Sequence, residues 1–534
     1  MAAVTAPSVF ESSAPVTPAT EIDRIVFAKL TSAGIKPVLC SDAVFVRRAY
    51  LDVIGTLPTA KEAREFIREP YIGNKRRLLI DRLLERDEFA VYWAMRWGDI
   101  LRIKAEFPVN LWPNAAQAYH RWVQASIAAN KPYDRFAREL LTSSGSNFRV
   151  GPVNFYRAIQ NRTPDGITAA VALTFMGSRV DSWPKEYSAG AGVFFSQVGY
   201  KPTREWKEEV VFWDPLHSSV LAVKDASGQP ATQPATAPIS RGPQTAIFPD
   251  GTRIQLPVDR DPREVFADWL IAPKNPWFTR SIANRIWGWL LGRGIIHEPD
   301  DLRDNNPPSN PALLAYLEKE LVASRYDMKH LYRLILNSQT YQLSPVPRVN
   351  APQAEASFAS YPVRRLDAEV LIDAINKITG TSDLYTSAIP EPFTYIPENL
   401  PAIAIADGSI ASQFLTLFGR SARATGMENE RNNRMMPAQW LHLLNSSHIQ
   451  GKLDQSLKLR AIFDPKRRQS EVITEIYLTI LSRFPTPEEV KTAEEYGQLG
   501  PADKSGKRAV VKRREDWVDL AWALLNTSEF LYRH

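Results

Sequence analysis

The stretch NPWFTRSIANRIWGWLLGRGI, Asn275–Ile295, combines an apolar helical pattern with three polar side chains. Apolar residues recur at every fourth position, so they share one face of the predicted helix. They are Phe278, Ile282, Ile286 and Leu290. Arg280, Asn284 and Arg285 interrupt this pattern. Because an unpaired buried charge is costly, arginines in this setting require carboxylate partners. The stretch therefore predicts a polar network inside a helical core.

Carboxylates follow this helix closely, in the segment HEPDDLRDNNPP at 297–308. The charged residues of the segment are Glu298, Asp300, Asp301, Arg303 and Asp304. We predict that they form structural ion pairs which hold this loop against the helix. Two alternatives stay open: an anion or ligand site built on the arginines, and a Ca²⁺ site. The spacing lacks the glycine and the terminal glutamate of a Ca²⁺-binding loop.

A second charged cluster lies in RRAYLDVIGTLPT at 47–59, near the end of an apolar helix. It consists of Arg47, Arg48 and Asp52. Arg48 and Asp52 stand four positions apart, a spacing that allows a direct ion pair on one helix face. We interpret this cluster as structural too, while keeping it among the candidate ligand-site residues.

The amino-acid composition excludes several classes of function and several kinds of site. A net charge of +6 over 534 residues is too weak to indicate a nucleic-acid partner. The single cysteine, Cys40, excludes an intrachain disulfide, a cysteine-based zinc site and a CxxCH haem attachment. We therefore expect no cofactor. There is no run of eighteen apolar residues, so we expect no membrane-spanning helix.

The chain reads as mainly α, with two helical domains and a small irregular β-rich insert between them. We expect a flexible tail at 1–18, a helical domain at 19–214, an insert at 215–260 and a second helical domain at 261–534. Short β-prone runs flank a proline-rich loop at 225–244. These runs are VVFWDP, SSVLAV, TAIF and TRIQL.

Two further hypotheses give the protein a catalytic or a redox role. A hydrolase would use a carboxylate pair drawn from Glu205, Glu208 and Asp300, together with tryptophan platforms such as Trp112 and Trp122. A redox accessory protein would bind haem through His442, near Met435 and Met436. The sequence contains no complete catalytic motif that supports either hypothesis.

Seven segments carry a family resemblance. They are RRAYLDVIGTLPTAKEAREF, NKPYDRFARELL, NPWFTRSIANRIWGWLLGRGI, DDLRDNNPPSNPALLAYLEKEL, LYRLILNSQTYQLS, RRLDAEVLIDAI and LLNTSEFLYRH. In this order they resemble two linked domains of unknown function, DUF1549 followed by DUF1553, found beside planctomycete-type cytochrome c modules. The resemblance covers about 22–534, nearly the whole chain.

The resemblance implies an exported protein, periplasmic or extracellular, although the first twenty residues do not read as a signal peptide. Many members carry a CxxCH haem segment where this chain has VALTFMGSRVDSWPKEY at 171–187. A family C-x-C-E-R segment appears here as GMENERN at 426–432. Because these cysteines are absent, the resemblance implies no covalent haem. We expect a non-catalytic binding or scaffolding protein of the cell envelope, with an envelope or secreted protein as partner and a glycan as a further possible ligand.

Overall fold

The computed structural model describes residues 9–70, 73–216, 244–502 and 508–534. About 52% of the chain is helical and 6% is strand, which confirms the predicted mainly α class. The first eight residues, the run SSVLAV and all but the last residue of the proline-rich loop lie outside the described residues. The domain boundaries given above stay predictions.

The first half of the chain is built from ten helices of the described residues. They are α1 Glu21–Ser32, α2 Asp42–Val53, α3 Ala60–Arg68, α4 Lys75–Leu84, α5 Asp87–Ile100, α6 Pro113–Ala128, α7 Tyr133–Thr142, α8 Asn154–Arg157, α9 Pro164–Val171 and α10 Lys185–Gly192. A π-helical turn, Ala172–Met176, extends α9.

Local sequence explains where some of these helices begin. Before α3, the Thr59 hydroxyl accepts from the Glu62 amide at 3.2 Å while Glu62 accepts from the Thr59 amide at 2.8 Å.

Five strands of the described residues lie between residues 145 and 255, so the strand-forming part of the chain begins earlier than the predicted insert. They are β1 Gly145–Ser146, β2 Val198–Pro202, β3 Glu209–Trp213, β4 Thr245–Ile247 and β5 Arg253–Gln255. The first three form an antiparallel sheet in the order β1-β3-β2, and β4 pairs with β5. Three of the predicted β-prone runs, VVFWDP, TAIF and TRIQL, coincide with β3, β4 and β5.

The second half is again helical. Its helices are α11 Pro262–Leu270, α12 Phe278–Leu291, α13 Pro311–Ala323, α14 Met328–Leu336, α15 Pro352–Ala356, α16 Ala368–Thr379, α17 Gln413–Leu417, α18 Pro437–Asn445, α19 Ser447–Gln455, α20 Leu457–Ile462, α21 Gln469–Ile480, α22 Pro487–Glu495, α23 Arg514–Leu525 and α24 Ser528–Leu531. Its strands are β6 Arg364–Arg365, β7 Gln498–Ala502, β8 Arg508–Val511 and β9 Tyr532–Arg533. No helix of the described residues is long and apolar enough to cross a membrane.

The two halves share one hydrophobic core. The ring of Trp289, on α12, lies 5.3 Å from that of Trp93 and 5.8 Å from that of Trp97, both on α5. Trp93 also packs against Tyr332, on α14, at 4.6 Å. Such aromatic contacts bury large apolar areas. The apolar face of α12 therefore packs against the first half and forms part of the core that the two halves share.

The prediction of an Arg48–Asp52 ion pair is wrong. The guanidinium of Arg48 donates instead to the backbone carbonyls of His534, at 2.9 Å, and Tyr341, at 2.6 Å. Asp52 accepts from Arg533 at 3.0 Å and from the hydroxyl of Tyr361 at 2.7 Å. Arg533 lies on the last strand, β9, which packs close to α2. Its ion pair with Asp52 therefore takes the place of a pair between Arg48 and Asp52.

The remaining arginine of that cluster is structural in a different way. Arg47 donates to the carbonyls of Ile480 at 2.9 Å and Phe530 at 2.8 Å, so it binds α2 to the ends of α21 and α24. The predicted N-terminal tail is attached in part. Glu11 accepts from Arg348 at 2.8 Å and from Ser344 at 2.9 Å.

Replacement of Asp52 tests the central ion pair. Asp52→Asn leaves Arg533 buried without its full counter-charge, so we expect the free energy of unfolding to fall by about 3 kcal/mol. Urea denaturation measures this loss. Asp301→Asn, which affects a partly exposed pair with Arg303, is the control, with an expected change of about 0.5 kcal/mol or less. Equal effects of the two changes would contradict the assignment.

Asp373, on α16, accepts from the backbone amides of Ala402 at 2.7 Å and Ile403 at 3.0 Å. Burial raises its pKa from 3.8 to about 7 despite these hydrogen bonds. The folded protein therefore holds a proton that the unfolded chain releases, and the stability from this proton is lost as pH rises towards 7.

This linkage predicts a pH-dependent difference between the wild type and Asp373→Asn. The stability advantage of the wild type should decline between its unfolded and folded pKa values, 3.8 and about 7, and stay constant above them. Urea unfolding at a series of pH values measures both proteins. A difference that does not change across this interval would refute the raised pKa.

Candidate functional site

Arg285, on α12, is fully buried where the two halves meet. Its guanidinium donates to Asp300 at 2.7 Å and to the carbonyls of Leu173, at 2.8 Å, and Thr174. Burial alone would lower the pKa of Arg285, but Asp300 and Glu428 raise it above its ordinary value. The cation thus joins the second half to the π-helical turn of the first half.

Asn284 holds the following loop in place. Its amide nitrogen donates to the carbonyl of Ile296, and its amide oxygen accepts from the Ile296 backbone amide, both at 2.9 Å. Gly294 lies directly beneath, where a β-carbon would come within 2.2 Å of the Ile296 carbonyl and 3.1 Å of Asn284. The loop that leads to Asp300 therefore has a defined path.

Arg280 is not part of this buried network, contrary to the prediction. Its side chain is 44% exposed and pairs with Glu318, on α13, at 2.9 Å. The neighbouring Phe278, Thr279 and Ser281 are buried, so Arg280 occupies the one side of the first turn of α12 that faces solvent. Asp301 and Arg303 pair with each other at 2.9 Å, and the Arg303 side chain is 48% exposed.

A pocket of about 590 Å³ lies beside Arg285 and Trp289. Its polar lining residues are Arg96, Arg285, Arg293, His297, Glu298, Arg364, Glu428, Asn429, Arg431, Asn432, Asn433 and Arg434. Six of them are arginines and two are glutamates. The volume lies within the range of small-molecule sites, roughly 300–1,000 Å³.

Three of these arginines make no hydrogen bond to a carboxylate among the described residues. Arg96, on α5, is 3.6 Å from Asp367 and 3.7 Å from Glu428. Arg293 is 3.8 Å from Glu355, and the exposed Arg434 has no carboxylate within ion-pair distance. Distances of this kind are too long for hydrogen bonds. These guanidinium groups retain donors that can face a ligand.

Arg431 shows the opposite arrangement. It donates to Asp99, on α5, at 2.7 Å and to Glu369, on α16, at 2.5 Å. Burial alone would raise the pKa of Asp99, but Arg431 and Arg423 hold it below its ordinary value. The segment 426–434 is thereby fixed to both halves of the molecule.

Glu428 is the partly buried acid of the pocket, with its side chain 17% exposed. One of its oxygens accepts from the indole N–H of Trp289 at 2.5 Å, and its backbone amide donates to Asp300 at 2.7 Å. Burial raises the pKa of Glu428 and nearby Asp300 raises it further, although Arg96 opposes this. A carboxyl with a raised pKa and access to a pocket is able to donate a hydrogen bond or transfer a proton.

The carboxylates proposed for a hydrolase do not converge. Glu208 accepts from the hydroxyls of Ser146 at 2.5 Å and Thr203 at 2.6 Å, whereas Asp300 is engaged with Arg285. Glu205 is exposed. Within the described ranges, no three His, Cys, Asp or Glu residues are placed to hold a metal ion.

The aromatic and histidine candidates also lie elsewhere. Trp122 stacks on Phe136 at 4.8 Å, as part of the packing between α6 and α7. The ring of His442 is 3.3 Å from His448, nitrogen to nitrogen, and the neighbouring Met436 is 54% exposed. None of these residues lines the pocket between the halves.

Family models match two regions of this chain. Residues 21–181 match the model of the protein of unknown function DUF1549, named PSCyt2. Residues 262–497 match the model of the protein of unknown function DUF1553, named PSD1. The chain therefore carries a DUF1549 region followed by a DUF1553 region, in the order that the resemblance predicted. No curated protein and no solved structure matches it significantly.

The pocket draws on both matched domains. Arg96 comes from the DUF1549 region, and the other lining residues come from the DUF1553 region. The two segments whose family counterparts carry cysteines, 171–187 and 426–432, meet at the Arg285–Asp300 pair. Sequence reasoning missed the role of Arg96 and Glu428, although GMENERN had been noted as a family segment. No local pattern connects α5 to that segment.

Replacement of Asn284 tests the support of the pocket loop. Asn284→Ala leaves the amide and carbonyl of Ile296 buried without partners, so we expect a loss of about 2–4 kcal/mol in the free energy of unfolding. Urea denaturation measures this effect. Arg280→Ala, at the exposed position four residues earlier, is the matched control. An equally small loss in both variants would contradict a clamping role.

Proposed function

We propose that this protein is a non-catalytic binding protein whose ligand carries an anionic group, held in the pocket between the two helical domains. One observation supports this most directly. Arg96, Arg293 and Arg434 line the pocket without a carboxylate within 3.5 Å, while buried arginines such as Arg285 and Arg533 have one at 2.7 Å. The pocket arginines are thus available to a ligand oxyanion.

The physical reason lies in guanidinium chemistry. A guanidinium presents a planar fork of N–H donors that matches a carboxylate, sulfate or phosphate, often with two parallel hydrogen bonds. Several such groups around one concave, partly desolvated volume also produce a positive potential that attracts anions. Arg96 is 14% exposed, so a bound anion would be only partly screened by solvent.

We further propose a periplasmic or extracellular location, with an envelope or secreted protein as partner. Support comes from the family resemblance, whose members are typically exported. The pocket is compatible with a carrier or scaffold whose partner presents an anionic group, because it is formed jointly by two tightly packed domains. Neither location nor partner is needed for the binding proposal itself.

A hydrolase is the second candidate, on different carboxylates from those first considered. Glu298 and Glu428 line the same pocket, and burial raises the pKa of Glu428 as a general acid requires. If the protein hydrolyses its ligand, Glu428→Gln should abolish turnover while ligand binding persists. Binding without turnover by the wild type supports the non-catalytic proposal.

Anion binding is tested by calorimetry of the full chain with sulfate, phosphate and citrate at low ionic strength. We expect saturable binding of at least one of them. Arg96→Gln and the double change Arg293→Gln with Arg434→Gln should each weaken it about tenfold or more, since a charge-assisted hydrogen bond contributes roughly 1.5–3 kcal/mol.

The matched controls are Arg280→Gln and Arg303→Gln, which remove exposed arginines outside the pocket. They should bind the anion as the wild type does. Circular dichroism and thermal unfolding check that every variant is folded. Absence of saturable binding to all three anions, or equal weakening by the control variants, would overturn the proposed site.

A further inference from the structure

We propose that the ligand of this pocket is an acidic sugar unit, part of an oligosaccharide or polysaccharide whose anionic groups are carboxylates or sulfates. This inference rests on the proposed anion-binding function and adds the chemical class of the ligand. It is carried by the arrangement of acceptors, amides and cations in the pocket wall.

The wall contains hydrogen-bond acceptors that a simple inorganic anion cannot use. Glu298 and Glu428 present carboxyl groups to the same volume as the arginines. A ligand that carries O–H donors can hydrogen-bond to these carboxyl groups, whereas an inorganic anion without such donors cannot. The amide oxygen of Asn433 is buried and has no hydrogen-bond partner among the described residues. A ligand with hydroxyl groups supplies donors to such positions.

Amide side chains are suited to the same ligand class. Asn429 and Asn432 line the pocket beside Arg434. An amide both donates and accepts, so it can bind the vicinal hydroxyls of a sugar ring.

The three arginines that make no hydrogen bond to a carboxylate differ in exposure. The side chain of Arg96 is 14% exposed and that of Arg293 is 28% exposed, whereas Arg434 is exposed. A ligand with charges on successive units can contact both the recessed and the exposed cations, whereas a single small anion contacts fewer of them. This arrangement favours an oligomer over a monomer.

A nucleotide fits less well, although it also combines hydroxyls with negative charge. Binding of a base requires an open aromatic or apolar face. Trp289 is the aromatic ring of the wall, but it is buried between Trp93 and Trp97, and Glu428 fixes its indole N–H. Apart from His297, the other lining side chains offer no ring for stacking.

The test uses the full chain and six probes in calorimetry at low salt: hexagalacturonate, a carrageenan hexasaccharide that carries sulfates without carboxylates, neutral maltohexaose, sodium sulfate, the monosaccharide galacturonate, and AMP. We expect one of the acidic oligosaccharides to bind at least about tenfold more tightly than sulfate and than maltohexaose. Preference between the first two identifies carboxylate or sulfate as the recognised group.

The other outcomes separate the two proposals. If sulfate binds as tightly as either acidic oligosaccharide, the sugar inference fails and the anion site stands. If maltohexaose binds as tightly as the acidic probes, the acidic-sugar inference also fails. If no anionic probe binds, both proposals fail. AMP binding more tightly than the acidic oligosaccharides would likewise overturn the inference.

Variants test the hydroxyl contacts directly. Asn429→Ala and Glu298→Gln, at exposed positions of the wall, should weaken oligosaccharide binding about fivefold to tenfold while leaving sulfate binding within twofold. Arg434→Gln should weaken the hexasaccharide more than the monosaccharide galacturonate. Arg303→Gln is the matched control. Unchanged oligosaccharide binding in both Asn429→Ala and Glu298→Gln would refute contacts to the sugar hydroxyls.

Discussion

The joint between the two domains depends on one desolvated guanidinium, that of Arg285. Such a group is tolerated in a core only when its charge and its N–H donors find partners. Asp300 supplies the charge, and the π-helical turn supplies the carbonyls of Leu173 and Thr174. Because Arg285 and its partners belong to three separate segments, this one cation fixes the relative positions of a helix, a turn and a loop. Asp300 then receives the backbone amide of Glu428, which extends the joint to a fourth segment.

The pocket follows from this joint. Once the segment 426–434 is held by Asp300 on one side and by the Arg431–Asp99 pair on the other, its remaining side chains face a cavity bordered by α5 and α12. Arginines that serve the fold hydrogen-bond a carboxylate at 2.7–3.0 Å, whereas Arg96 and Arg293 remain at 3.6–3.8 Å from the nearest carboxylates. This difference in carboxylate distance, rather than the number of arginines, distinguishes a binding surface from a structural network. The proposed functions rest on that contrast.

Much of the fold was predictable from the sequence because helix formation depends on residues that are close together in the chain. Apolar spacing, the Thr59–Glu62 capping box and the β-prone runs at 210–215 and 245–256 each involve neighbours within a few positions. Charge pairing was less predictable. Arg48 and Asp52 have the correct spacing for a pair, yet Asp52 binds Arg533, which lies 481 positions away. Arg280 belongs to an apolar helix, yet its own side chain is 44% exposed and pairs with Glu318.

The sequence by itself determined the helical class, the family pair and the requirement that a buried arginine in the stretch 275–295 find partners. Only the tertiary structure decided which partners those are and which arginines remain without one. The physical reason is range. Helix formation and capping depend on residues within one or two turns, but ion pairing depends on whichever carboxylate packing brings within about 3 Å. Arg96 and Glu428 stand more than three hundred positions apart in the chain, so their meeting in one pocket is a property of the folded molecule.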